Sequence, residues 1–435
     1  MARGSIDTGG AGTTADPRGL TVALADWHWM GHHPMYFRRY ASVLRGLGVT
    51  VVPFVPCAGT REPFKEHPAE GKSPGPQGGI EAPRPVVAPA WERRLSGPIG
   101  RPLRQILSFM LLRRELDRWE REMGRNIDLV FFACVYDWEF DLVGPWVGRF
   151  IERDWSGLYL QARMLHSGQV ARVARTFSCP RLRGLGTLDR TVVGRLGALI
   201  PGRTIVRFPE TVDVRLPAAG EPSAALAETV RRLAGGRRVV SLVGWLQRSK
   251  GLQAFTRLVH DPRLRDCFFV LAGEVDWRGF AHDEVRQLRD SWQKADNLFT
   301  RFERLDELEL NALLKITDVV FAAYVDFPHS SNLLAKAAFL DRPVVVSRGY
   351  LMQRDVEEHR LGLAVPQDDP EALCAAIRGL LADDAWQDSA TGGADRPRQG
   401  DDYRRLHGEE HLVEALSRIL ATIPSPRPDP GRSWS

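Results

Sequence analysis

The chain of 435 residues has no apolar run near the ~20 residues that cross a bilayer. Its longest, Ile127 to Val135, is interrupted by Asp128 and reads as a buried strand. The stretch from Met1 to Gly19 lacks an apolar core and does not read as a secretory signal. Cysteine is scarce: Cys57, Cys134, Cys179, Cys267 and Cys374 are scattered, with neither zinc nor redox spacing, so a reduced, cytoplasmic protein is expected. The histidines at 28, 32 and 33 do not form a recognised metal pattern, since none is a His-x-x-x-His pair on a helix with a third ligand in sight. A basic stripe interleaved with aromatics and a DNA-binding motif are also missing, which sets nucleic acid aside as a partner. What is there is globular: 43% hydrophobic and 26% charged residues, in a chain long enough for two cores.

Short apolar runs alternate with helical patterns in both halves. Strands are expected at 20–25, 49–55, 127–134 and 157–160, then at 238–244, 267–273, 298–302, 318–323 and 343–347. Helices are expected at 34–47, 102–123, 251–260, 305–315, from Ser330, at 369–381 and at 403–421. Continuously apolar strands between helices predict an α/β fold with parallel sheets covered on both faces. The expected organisation is a disordered stretch at 1–18, a first domain at 19–206 with a flexible Pro- and Gly-rich insertion at 59–100, and a linker at 207–220. A second domain follows at 221–393, then a C-terminal helical segment at 394–421 and a disordered tail at 422–435.

Parallel sheets bind ligands beyond the carboxyl ends of their strands. In the second half those loops carry Gly244 with Arg248-Ser249-Lys250-Gly251, then Gly273-Glu274, then 324–329 leading to Ser330-Ser331-Asn332. Cations beside a glycine, and hydroxyl and amide side chains opening a helix, suit a phosphate group. Asn332 and Lys336 lie four apart on one helical face. The same residues also read as a basic loop and a capped surface helix with a solvated lysine. In the first half, Asp26, His28, Gly31, His32 and His33 follow a strand and precede Pro34 at a helix start. With Asp137, Gln161 and His166 after later strands, they are candidate contacts to a polar acceptor. A His-rich turn without function is the alternative.

The net charge is +5, and the excess is uneven. Between Gln161 and Arg207, arginines at 163, 172, 175, 181, 183, 190, 195, 203 and 207 face one acid, Asp189. In 102–123, Arg104, Arg113, Arg114, Arg118 and Arg121 accompany Ile106, Leu107, Phe109, Met110, Leu111 and Leu112. A basic face beside an apolar one suits the surface of an anionic membrane. Packing of that helix on its own sheet is the other reading.

The order Gly244, Arg248-Ser249-Lys250-Gly251-Leu252, Leu271-Ala272-Gly273, Thr317-Asp318-Val319-Val320-Phe321, Pro343-Val344-Val345 and Gly362-Leu363-Ala364-Val365 resembles the glycosyltransferases of family 4. The likeness runs from about Arg238 to Leu381, with Gly31-His32 and the segment from Arg207 to Asp213 as looser matches. The resemblance implies a GT-B fold of two facing Rossmann-like domains. It also implies transfer, with retention, from a nucleotide-diphosphate sugar to a glycan or lipid-linked acceptor, without a metal or other cofactor. Arg248 and Lys250 would hold the diphosphate, with His32 as a third catalytic residue. Gly244, Glu274, Arg301, Phe302, Ser330, Ser331, Asn332 and Lys336 would meet the donor. Gly31, His33, Asp137 and His166 would meet the acceptor.

One departure is large. The family's paired glutamates, eight apart, fall here at Pro328 and Lys336. A charged ammonium cannot accept a hydrogen bond from a ribose hydroxyl, though it can pair with phosphate. A catalytically inactive GT-B binding protein is therefore the alternative function, with a GT-B epimerase or phosphorylase as a third.

Overall fold

The computed structural model describes residues 17–29, 33–56, 84–86, 97–383, 386 and 399–424. The chain divides into two compact units, one of residues 1–209 with 409–435, the other of 210–408.

The first unit holds a seven-stranded sheet in the order β3-β2-β1-β4-β5-β6-β7, with every recorded pairing parallel. Its elements begin with β1 (Thr21–Ala25), α1 (His33–Gly46), β2 (Thr50–Pro56), β3 (Arg84–Val86) and α2 (Gly97–Met123). Next come β4 (Leu129–Tyr136), α3 (Asp137–Phe140), α4 (Val147–Ile151), β5 (Trp155–Gln161), α5 (Arg163–His166) and α6 (Val170–Thr176). The sheet ends with β6 (Leu182–Thr187), α7 (Arg190–Leu199) and β7 (Thr204–Arg207). Strand β4 is buried along its whole length because helices cover both faces. Val130, Phe132 and Val135 join the core with Phe109 and Trp119 of α2, while Leu129, Phe131 and Ala133 join the core with Tyr36 and Tyr40 of α1.

The second unit holds six parallel strands in the order β10-β9-β8-β11-β12-β13. It runs α8 (Ala225–Ala234), β8 (Arg238–Val243), α9 (Leu252–Val259), β9 (Cys267–Ala272), α10 (His282–Gln293), β10 (Leu298–Arg301) and α11 (Glu307–Ile316). It continues with β11 (Val319–Ala322), α12 (Asn332–Phe339), β12 (Val344–Ser347), α13 (Leu351–His359), β13 (Gly362–Val365) and α14 (Pro370–Ala382). Its last helix is α15 (Asp401–Leu406), and the helix that follows, α16 (Glu409–Leu420), belongs to the first unit.

Several expectations change. Residues 207–220 are not a free linker. Arg207 ends β7, paired with Thr187, and the segment after Pro209 is hydrogen-bonded into the second unit: Asn311 Nδ2 donates to the carbonyls of Asp213 (3.0 Å) and Arg215 (2.8 Å), and the Glu210 amide to His407 Nδ1 (2.6 Å). The expected helix 403–421 is two helices broken at His407-Gly408. Tyr403 of α15 joins the core of the second unit, whereas Leu412, Leu416 and Ile419 of α16 join that of the first. Helix α2 starts at Gly97, five residues before its Pro102, and lacks the one helical hydrogen bond that the proline nitrogen cannot donate. Strand β3 falls inside the expected insertion 59–100; most of that insertion, residues 1–16 and the tail from 425 lie outside the described residues.

The apolar pattern does not predict strand β6, because Leu-Arg-Gly-Leu-Gly-Thr has low strand propensity. Its glycines are required by close packing. A Cβ on Gly186 would sit 2.0 Å from the Phe208 ring, and one on Gly184 2.5 Å from the Thr204 carbonyl oxygen.

Candidate functional site

In the second unit the loops after β8, β9 and β11 meet at the carboxyl edge of the sheet. Gly273, at φ +136°, lets two loops touch: a Cβ there would lie 1.8 Å from the Gly244 carbonyl oxygen. The Gly244 amide bonds to the Ala272 carbonyl (2.9 Å), the Leu246 amide to that of Glu274 (2.9 Å), and the Gly273 amide to that of Arg301 (2.8 Å). Gly251, at φ +74°, plays the same part toward β11, since a Cβ there would be 2.5 Å from the Ala323 carbonyl oxygen. The Val325 amide donates to the Ser249 carbonyl (2.8 Å) across that contact.

The two cations of the first loop differ in environment. Arg248 donates to Glu284 (2.7 Å) and to the Gly279 carbonyl (3.0 Å). That hydrogen bond raises the guanidinium pKa and holds the Glu284 carboxyl down at about 2. The Lys250 ammonium lies 3.7 Å from the centroid of the Tyr324 ring and 4.8 Å from that of Phe327. It has no hydrogen bond or ion pair among the described residues.

Other donor-site expectations sort into three groups. Glu274 is exposed beside the loop contact, and Phe302 is exposed and packs at a tilt on Trp292, with ring centroids 5.1 Å apart. Arg301 turns to Glu309 (2.6 Å) and Glu303 (3.3 Å). Ser330 and Ser331 precede α12; Ser331 is its N-cap but makes no side-chain cap bond, and its hydroxyl lies 3.4 Å from that of Tyr324.

Asn332 and Lys336 are corrections. Lys336 is 1% exposed. Its ammonium donates to Asn311 Oδ1 (2.7 Å), to a Glu307 carboxylate oxygen and to the Asp213 carbonyl, which uses all three N–H groups. Burial lowers its pKa while Glu307 raises it in opposition. Asn332 Nδ2 donates to the Thr211 carbonyl (2.9 Å). Both side chains anchor residues 211–213; Lys336 is enclosed by these bonds, and the half-buried Asn332 has its Nδ2 engaged. The sequence pattern placed them on the correct face of the helix but could not show what that face packs against.

In the first unit, Gly31 and His32 lie outside the described residues. His33 is buried: its Nδ1 is 2.9 and 3.0 Å from the Asp26 carboxylate oxygens, and its Nε2 is 2.9 Å from the Tyr136 hydroxyl. Asp26 also accepts the His28 amide (2.9 Å). His28, with its side chain 46% exposed, pairs through Nε2 with Glu139, which lies largely inside the fold. The bond to Glu139 raises the His28 pKa, and burial raises that of Glu139. This pair is the feature missed by sequence reading; Glu139 lies two residues beyond Asp137, and only the β4–α3 turn brings it to His28.

Asp137 is a further correction. Its carboxylate accepts the Tyr159 hydroxyl and the Met164 amide (2.8 Å), so it faces inward and ties β4 to α5. Burial raises its pKa. His166 stands 3.5 Å from Asp189, partly exposed, with its pKa lowered chiefly by burial. Among the described residues, Asp26, His33 and Cys134 are the group whose ligand atoms lie within 4.8 Å, a spacing that can hold a metal. As placed, the carboxylate and Nδ1 are bonded to each other.

Residues 237–383 match the family model described as "Glycosyl transferases group 1". No curated protein matches. Among solved structures, sucrose-phosphate synthase from Thermosynechococcus elongatus is similar at 15% identity, with 92% of this chain and 98% of that one covered and a TM-score of 0.61. HepE of Anabaena, solved with UDP-glucose, is 12% identical, covers 92% and 99%, and has a TM-score of 0.61. An α,α-trehalose 6-phosphate synthase from Burkholderia multivorans is 12% identical, covers 93% and 99%, and has a TM-score of 0.61. The fold is thus GT-B: two Rossmann-like units with parallel sheets. Among the described residues no helix is long and apolar enough to cross a membrane.

Proposed function

We propose that this GT-B chain, whose second unit matches the group 1 glycosyltransferases, is a glycosyltransferase. It moves a hexose from a nucleotide-diphosphate sugar to a glycan or lipid-linked acceptor with retention, in polysaccharide or glycoconjugate assembly. The observation that carries this reading is the Lys250 ammonium, held without an acid partner where the loops after β8 and β11 meet. A fixed cation there favours the charge that develops on a departing diphosphate. Arg248 and the Ser330-Ser331 turn border the same edge, Gly244 and Glu274 lie in the two loops that touch beside it, and Arg301 and Phe302 follow at the end of β10. No metal is required, because the protein supplies the positive charge. In the first unit His28 and His166 are assigned to the acceptor, whereas His33, expected to meet it, is buried with both ring nitrogens bonded to Asp26 and Tyr136.

A lipid-linked acceptor would also account for α2. Leu103 and Met110 are 49% and 56% exposed on that helix, and residues 101–114 contain four arginines and no acid. This reading places the reaction in the cytoplasm, with α2 against an anionic membrane.

The test is thermal melting against UDP, GDP, ADP, CMP and their sugars, followed by a transfer assay. A ligand at a hundredfold excess over its Kd stabilises by about 2.7 kcal/mol. A shift with one nucleotide diphosphate and turnover of its sugar supports the reading. A shift with no turnover supports the inactive binding protein, which the burial of Lys336 at the family's glutamate position favours. No shift with any of them rejects the enzyme and a nucleotide-sugar-binding role, and leaves a glycan-binding protein that has lost its donor.

A further inference from the structure

Arg248 and Lys250 belong to one short loop, and sequence gives them the same role. Their surroundings do not. Arg248 is half-exposed and already bonded to a carboxylate, so a diphosphate must compete with Glu284 for it. Lys250 is held by aromatic faces. The negative face of an aromatic ring attracts an ammonium without supplying a hydrogen-bond acceptor, and so orients the charge without neutralising it.

The aromatic pair is itself fixed. Tyr324 is 2% exposed and belongs to the core of the second unit. Phe327 packs edge-on against it, with ring centroids 5.1 Å apart, and His329 packs on Phe327 at 5.5 Å. Glycine at 251 is what lets the lysine reach them, because its missing Cβ permits contact with the Ala323 carbonyl.

We propose that Tyr324 and Phe327 are positioning residues, which hold Lys250 as an uncompensated cation for the donor diphosphate. The loop after β11, rather than helix α12, therefore sets how tightly this chain takes a nucleoside diphosphate. The inference rests on the donor-site reading above. It assigns a task to residues 324–327, next to the place where the glutamate pair of similar enzymes is missing.

The test is calorimetric titration of the full chain with UDP, and with GDP and ADP if UDP does not bind, at low and high sodium chloride. Lys250→Met should remove most of the salt-dependent part of binding. Tyr324→Leu and Phe327→Leu should each raise Kd by about 5- to 30-fold, the range a partly desolvated cation–π contact spans. Tyr324→Phe keeps the ring face and should recover most of what Tyr324→Leu loses. Because Tyr324 is buried, Phe327→Leu, at a partly exposed position, serves if Tyr324→Leu does not fold.

Wild-type affinity in folded Phe327→Leu and Tyr324→Leu, with Lys250→Met defective, overturns the positioning role alone. So does a Tyr324→Phe as weak as the leucine variant, which would point to the hydroxyl beside Ser331. Failure of the wild type to bind any of the three nucleotides overturns the donor site and this inference together.

Discussion

Lys336 on α12 donates to Asn311 on α11 at 2.7 Å, with Glu307 one turn before that asparagine on the same ammonium. Through the Asp213 carbonyl the lysine also fixes the segment that enters the second unit. A residue on the ligand-reading face of a helix, by its spacing, is thereby a buried cross-link.

Replacing Lys336 should show that role. Lys336→Met removes three hydrogen bonds and leaves the Glu307 carboxylate and Asn311 Oδ1 without this donor, while the Asp213 carbonyl keeps Asn311 Nδ2. A broken buried ion pair costs about 3–5 kcal/mol, and the partial exposure of Glu307 reduces this to about 2–3 kcal/mol. Denaturant unfolding should record that loss, while nucleotide Kd in the folded variant stays at the wild-type value. An unchanged midpoint with lost nucleotide binding would return Lys336 to the donor site. Lys336→Glu should be worse, since it buries a second carboxylate beside Glu307.

Gly273→Ala tests the contact between the loops after β8 and β9. The new methyl would meet the Gly244 carbonyl oxygen at a φ that side chains rarely adopt. Strain and overpacking together should cost about 2–5 kcal/mol. A melting temperature equal to wild type would show that these loops are not in contact.

The His28–Glu139 pair makes stability pH-dependent. The folded pKa of His28 is raised above 6.5 by Glu139. Its contribution is complete below about pH 6.5 and is lost as pH rises through the folded value. The raised pKa of Glu139 acts in the same direction. His166, with a lowered pKa, acts in reverse and loses its contribution as pH falls below 6.5 through its folded value. The stability gap between wild type and Glu139→Gln should narrow as pH rises through neutrality. Parallel unfolding curves across that range would rule the pair out.

Arg248 and Lys250 should separate on substitution. Lys250→Ala should remove most nucleotide-diphosphate affinity, and Arg248→Ala a smaller part, because Glu284 already occupies the guanidinium. Glu284→Gln frees Arg248 and should tighten binding at low salt. Equal losses in the two alanine variants, with no gain in Glu284→Gln, would show that both cations meet the ligand alike.

The alternation of apolar runs with helical patterns determined the parallel α/β architecture, and with it the edge of the sheet where Gly244, Lys250-Gly251, Gly273 and Ser331 meet. Those signals are local: a strand buried on both faces must be apolar throughout, and a tight turn must have its glycine. The fates of Lys336, Asn332 and Asp137 were set elsewhere. A side chain has the same spacing whether it faces a ligand or a neighbouring helix, and its partner decides which. Lys336 finds Asn311 25 residues away, and the Glu210 amide finds His407 across 197. The same holds for the break at Gly408, where one amphipathic pattern serves two cores. Glu139 had no pattern at all, and only the packing of the turn after β4 brings it to His28.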